Sequence, residues 1–401
     1  MTNIIPSRLF ISSTCTDIGD CRTLSSIILS CLATLVACTW ASVHPNVPKP
    51  LIGRRKLVFH RWRLMMLAVI APEVIVVWAL RQRMVASKLS EDFAGLGMTM
   101  THGFFVSMGG FTMAQGPYLR PIPPHIIGPG KPVNPNSIMS IRDYQIHDRS
   151  KGDEITKGLA LLQTGWFMAQ CIARRVESLP LTELELVTIA FSSLNFVIYA
   201  VWWDKPLDVR YPICLGPPPA VDPPMKKIRE PFAPSWSLAV VYGFNYAINI
   251  VLEMFVGERD DDDIAVDASR VPTLWAGRLT KNQRGWAASI GIFLAMGFGA
   301  IHCVAWNYTF PSEAEQILWR SGSVTVVVVP FLLFVAAVDV MNRSVPVWYH
   351  NFVFGVVIPL GATVYVIGRI ILMVLPFTAL RSLPQDVYKD IEWTHFVPHI
   401  S

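Results

Sequence analysis

IHDRSKGDEITKGLALLQTGWFMAQCIARR, residues 146–175, decides the class of fold. It opens as a dense polar loop and turns into an apolar run carrying Gln163, Thr164 and Gln170, closed by Arg174 and Arg175. About 20 mostly apolar residues cross the ~30 Å hydrocarbon core of a bilayer, and runs near that length recur along the chain. Water is absent there, so each run must satisfy its own backbone as a helix. The composition agrees: 52% of residues are hydrophobic, 16% are charged and the mean hydropathy is +0.41. Soluble domains carry about 25% charged residues. The expected fold class is all-α: one integral membrane domain over residues 1–401, a multi-pass transmembrane helical bundle.

Working outward, the spans fall near 24–43, 64–80, 154–171, 182–202, 236–255, 285–306, 324–340 and 352–375. That is eight, within a range of seven to nine. The stretch 93–114, FAGLGMTMTHGFFVSMGGFTMA, is apolar but rich in glycine. It is a re-entrant or interfacial segment, or one more crossing; irregular backbone at membrane depth needs protein or water around it. Polar loops cover 115–153, 204–234 and 257–284. A short surface helix is expected over 311–320, and Arg369, near the end of the last span, can snorkel to the interface.

Residues 49–63 hold Lys49, Arg54, Arg55, Lys56, Arg61 and Arg63 and no acid. By the positive-inside rule this loop is cytosolic and the N-terminus lies outside. With eight spans both termini are outside. Asn307, in an Asn-Tyr-Thr sequon, then faces the lumen as a possible N-glycosylation site, and Asn342 does not. The membrane is that of the endomembrane system or the cell surface.

The net charge of +5 sits beside apolar helices, and no basic tract is interleaved with stacking aromatics, so no nucleic-acid partner is expected. The seven cysteines lack metal-ligand spacing, and neither a metal nor a cofactor is expected. Cys15, Cys21 and Cys214 lie in polar segments, where one disulfide is possible in an oxidising lumen. The Asp260–Asp263 run lacks the second aspartate-rich motif of intramembrane prenyltransferases and is expected to be solvated.

Ionisable residues inside a membrane are costly and mark candidate sites. Glu73 follows Pro72 in the middle of the second span. It is a proton- or ligand-binding carboxylate, or a structural hydrogen-bonding group. Desolvation disfavours a lone carboxylate there, so Glu73 is expected to face the bundle and bond Gln163, Gln170 or His102. His102 is a general base or a structural histidine. Asp148, Arg149, Lys151 and Asp153 could hold an anionic head group or a cation, or form a salt-bridged turn. Together with Gln163 and Gln170 these residues form a candidate polar cavity. Three functions remain open. One is binding or moving a small lipophilic or ionic ligand or a membrane lipid. Another is an enzyme using Glu73 or His102 on a lipophilic substrate. The last is a structural subunit. The oligomeric state is left open.

Several motifs occur in a fixed order: SCLATLVACTWASVHPNVP at 30–48, IAPE at 70–73, THGFFVSMGGF at 101–111 and DRSKGD at 148–153. QTGWFMAQ at 163–170, TELEL at 182–186, WWDKPL at 202–207 and LRSLPQDVYKDIEW at 380–393 follow. This set resembles a group of uncharacterised multi-pass membrane proteins of filamentous, mushroom-forming fungi. The resemblance implies origin and topology and carries no activity.

Overall fold

The structure is a computed structural model that describes residues 21–49, 52–115, 118–150, 154–217, 270–343 and 345–391. The candidate span 236–255, the Asp260–Asp263 run, Cys15, Lys151 and Asp153 lie outside these residues. The long helices are α1 (Leu24–Ser42), α2 (Arg54–Ile70), α3 (Pro72–Asp92), α7 (Glu154–Val176), α8 (Glu183–Val201), α9 (Lys281–Cys303), α10 (Glu313–Asn342) and α12 (Ile358–Ala379). Short α4 (Met100–Ser107), α5 (Pro135–Met139) and α6 (Asp143–His147) sit between α3 and α7, and α11 (Val347–Phe352) leads through a π turn into α12. Strands β1 (Phe111–Gln115), β2 (Tyr118–Pro121) and β3 (Ile213–Cys214) make one small sheet in the order β2-β1-β3. β1 runs antiparallel to β2 and parallel to β3.

Local chemistry sets the helix starts. Thr23, Thr182, Thr280 and Ser312 each accept a backbone N–H of the first turn, and Glu185 and Gln283 bond back to complete capping boxes. Five helices among the described residues are long and apolar enough to cross a membrane: α1, α8, α9, α10 and the α11–α12 rod. Counting α2 and α3 as one broken span makes six. Glutamines and a terminal arginine pair keep α7 out of that set. Its outward face is nevertheless apolar, with Leu159, Leu162, Trp166, Ile172 and Val176 all exposed.

Several expected boundaries change. The span expected over 64–80 is two helices bent by 110° at Ala71. Pro72 has no N–H to donate and disfavours helix at the residue before it, and Ala71 sits at φ −143°, ψ 70°. The basic run at 54–63 is the first part of α2, not a loop. Residues 93–114 hold no helix long enough to cross. They form a 3-10 turn, α4 and β1, and the eight residues of α4 extend only about 12 Å. The surface helix expected over 311–320 is the start of α10, which runs unbroken for 30 residues.

The bundle has two ends. At the terminal face, Cys21 pairs with Lys389 across a β-bridge, Arg22 ion-pairs with Glu185 of α8, and Arg174 of α7 donates to the carbonyls of Lys389 (2.7 Å) and Val387 (3.0 Å). Cys21 is disulfide-bonded, while Cys31, Cys38, Cys171, Cys214 and Cys303 are free. At the opposite, cap face, Lys205 donates to His44 O and Gln82 Oε1, and Asn46, Trp78 and Gln82 all donate to Trp275 O. The ends of α1 and α8, the middle of α3 and the residues before α9 therefore share this face. α9, α10 and α12 pack closely through glycine: a Cβ on Gly299 would lie 2.6 Å from Val327, and one on Gly361 2.5 Å from Leu333.

Candidate functional site

The break between α2 and α3 collects the buried charges. Tyr365 and Arg369 are one helical turn apart on α12 and so share a face. Tyr365 Oη donates to Glu73 Oε1 at 2.7 Å. Arg369 Nε donates to Ile70 O at 2.9 Å and Nη2 to Val69 O at 3.3 Å. Those are last-turn carbonyls that the broken helix leaves without intrahelical donors. The guanidinium lies 3.8 Å from the ring centre of Phe298 and 5.4 Å from that of Phe191.

Each charge also suits the dipole beside it. Arg369 meets the negative C-terminal end of α2, and Glu73 lies in the first turn of α3. Glu73 is 5% exposed and Arg369 2%, so neither reaches the outer surface of the bundle. Glu73 Oε2 and Arg369 Nη1 are buried and make no hydrogen bond among the described residues. His302 of α9 lies beside them, its ring against Phe298 and its Nδ1 2.8 Å from Phe298 O.

The depth of this tip follows from its flanks. Arg61 of α2 donates to Trp40 O near the end of α1 and ion-pairs with Asp208, at the cap face. Gln82 of α3 meets Lys205 at the same face. From Arg61 to Ile70, and again from Glu73 to Gln82, is about 14 Å of helix at ~1.5 Å per residue. The bent pair thus enters from the cap face and turns back, with its charged tip inside the bundle.

A second polar knot closes the cap face. Lys205 is 1% exposed, and its ammonium lies 4.2 Å from the Trp202 ring and 4.6 Å from the Trp78 ring. Gln82 Oε1 accepts from Lys205 (2.8 Å) and Trp202 Nε1 (3.1 Å), while its amide donates to Asn46 Oδ1 and Trp275 O. No carboxylate pairs with Lys205 among the described residues, and burial pushes its pKa well below the ordinary lysine value.

The residues expected to share one cavity do not bond one another. Glu73 faces the bundle as expected, but its partner is Tyr365. His102 closes the N-terminal cap of α4: Nδ1 lies 2.8 Å from Thr99 Oγ1 and 2.9 Å from Asp143 Oδ1, and Nε2 lies 2.8 Å from Ile141 O. Both ring nitrogens are engaged, which fits the structural alternative. Gln163 reaches Thr34 of α1 at 3.4 Å and joins two helices. Gln170 is half-buried, and Asp148 and Arg149 are exposed. Their loop docks instead through Ser150, which exchanges hydrogen bonds with the backbone of Leu207 at 2.9 and 3.0 Å. Tyr365, Gln82 and Lys205 escape the sequence reading, and Arg369, expected to snorkel to the interface, is instead buried against the carbonyls of Ile70 and Val69. The signal that was available is a cation inside or beside an apolar run, which holds for Arg369 and Lys205.

A family model, described as a family of unknown function (DUF8562), matches residues 12–95, 133–225 and 241–400. The chain belongs to this family. Its matched segments contain Glu73, Lys205, Tyr365 and Arg369 and leave out His102. No curated protein and no solved structure matches the chain.

Proposed function

We propose that this is a multi-pass integral membrane protein of the endomembrane system or cell surface, of the fungal kind its ordered motifs resemble. In this reading it binds or moves a small ion or molecule at the tip of the re-entrant α2–α3 hairpin. Among the described residues the full crossings in this reading are α1, α7, α8, α9, α10 and the α11–α12 rod. The expected eight also counted 64–80 and 236–255. The bend at Ala71 favours re-entry for the first. The second lies outside the described residues. The unopposed basic charge of 49–63 supports a cytosolic cap face, and the disulfide at Cys21 supports an oxidising terminal face.

One observation carries the functional reading. A carboxylate and a guanidinium stand at a broken helix inside the bundle, each with a buried atom that no described protein group bonds. Half-helix ends at membrane mid-depth are where membrane transporters hold ions and small substrates. Glu73 carries the exchangeable proton. Protonating it removes the counter-charge of Arg369 and opens the guanidinium to an anion, which couples the two.

The test uses the full chain in liposomes with an internal pH dye and an imposed potential. Wild type is expected to move protons, and Glu73→Gln to abolish the flux while keeping the fold. Equal flux in both, or none above empty liposomes in wild type, overturns the proposal. Proton-silent but well-folded proteins would leave Arg369 as a structural clamp, a reading favoured by its bonds to Val69 and Ile70.

A further inference from the structure

The first half of α2 presents cations that no described residue neutralises. Arg54, Arg55, Lys56 and Arg63 are exposed and form no ion pair among the described residues, whereas Arg61, on the inner face of the same helix, pairs with Asp208. Like charges this close on a helix repel, which favours an anion beside them. On the same outer face Phe59 and Trp62 are exposed and stacked, with ring centres 6.3 Å apart and planes 19° apart. Arg55, Phe59 and Trp62 follow the i, i+4, i+7 spacing of one helix stripe.

The level of this stripe is fixed by its neighbours. Arg61 lies 4.3 Å from the Trp40 ring at the cap-face end of α1. Trp203, Trp286 and Trp348, at the cap-face ends of α8, α9 and the α11–α12 rod, are exposed as well. Exposed tryptophans at helix ends mark the headgroup level of a bilayer. Phe59 and Trp62 lie at that level, and Arg54 to Lys56 lie one to two turns nearer water, where lipid phosphates are.

We propose that this face of α2, with Arg54, Arg55, Lys56 and Arg63 around the Phe59–Trp62 stack, is a docking surface for the headgroups of anionic phospholipids. It rests on the membrane placement proposed above and not on ion movement. Cations gather the phosphates, and the aromatic pair seats the glycerol and upper acyl region. A lipid held there braces the hairpin from outside, because α2 leads directly to the charged tip.

The experiment reads lipid retention by the full chain. Protein is taken from bilayers of equal phosphatidylcholine and phosphatidylglycerol and examined by native mass spectrometry. With ~1 kcal/mol for each engaged cation, two cations favour phosphatidylglycerol by at least about tenfold. The variant R54Q/R55Q/K56Q/R63Q is expected to lose that preference, as is wild type in about 0.5 M salt. The milder R54Q/R55Q should lose part of it, and R320Q/R381Q, at the terminal face, none. An equal preference in wild type and the quadruple variant overturns the docking surface while leaving membrane placement intact. Absence of any retained lipid overturns both. Membrane lipid retained without charge preference overturns the docking surface alone.

Discussion

Replacing Arg369 by methionine tests the site most directly. The substitution keeps an unbranched apolar stem against Phe298 and removes the guanidinium. Ile70 O and Val69 O then lose their donors, and Glu73 loses its nearest cation. Hydrogen bonds to charged groups contribute about 1.5–3 kcal/mol each. Glu73 and Arg369 bond other groups and not each other, so the about 3–5 kcal/mol lost on breaking a buried charge pair is an upper limit. Interhelical hydrogen bonds in membranes average only ~0.6 kcal/mol, because the unfolded chain in the bilayer also finds partners. Between these limits the expected loss is about 3 kcal/mol. Glu73→Gln should cost about 1 kcal/mol, since the amide oxygen still accepts from Tyr365. The double variant should cost at least about 1 kcal/mol less than the two single losses together, because neither charge is then left alone. The assay is unfolding of the micellar protein by added dodecyl sulfate, followed by tryptophan fluorescence. Losses that add within about 0.5 kcal/mol would refute coupling between Glu73 and Arg369. A loss below about 0.5 kcal/mol for Arg369→Met would refute the clamp on the broken helix.

Lys205 gives stability a pH slope. Its folded pKa is lowered, so between that value and the unfolded ~10.4 the unfolded chain binds the proton and the folded chain does not. Stability should therefore rise with pH through that window. The melting temperature measured across pH should show the rise in wild type and not in Lys205→Met, and an identical slope in both would refute it. Gly103→Ala places a Cβ 2.5 Å from Ala86 O and 2.7 Å from Ala86 Cα. Backbone cannot retreat as a side chain does, so a loss of about 1–3 kcal/mol is expected, and an unchanged melting temperature would argue against the α3–α4 contact. Asn307 is exposed between α9 and α10 at the terminal face, and Asn342 lies at the other end of α10. Asn342→Gln should leave gel mobility unchanged, and a shift would invert the assigned sides.

The class of fold was legible because it rests on composition and run length, which need no partner. The break was half legible: Pro72 announces a lost donor, and Glu73 beside it had to turn inward. Its partner was not legible, since Tyr365 is 292 positions away and no local rule pairs the two. Arg369 was misplaced for a physical reason. An apolar run ending near 375 puts it close to the interface, where snorkelling is the usual outcome. α12 continues to Ala379, so Arg369 lies about 15 Å from the helix end, deeper than its side chain can reach. Glu313, Glu315 and Arg320 suggested a separate surface helix for a similar reason. In the structure they ride on the first turns of α10, where Arg381 pairs with Glu315 and Arg320 stacks over Trp306. Lys205 was hidden in a loop because two distant segments, around His44 and Gln82, together with the neighbouring Trp202, make its burial.

Break, charge and partner at the hairpin tip form one physical unit. Proline at 72 ends α2 inside an apolar bundle, where carbonyls at Val69 and Ile70 need donors. Guanidinium reaches both through a rigid planar fork, whereas an ammonium is a compact group on a flexible stem with no fixed geometry. A guanidinium buried there needs an anion, and the first turn of α3 is where the helix dipole favours one. Glu73 meets that need two positions after the break, and Tyr365, one turn from Arg369 on the same helix, holds its carboxylate in place. Arg369→Lys should therefore behave nearer to Arg369→Met than to wild type in the unfolding assay. A fully stable lysine variant would mean that charge alone, without the fork, secures the broken helix.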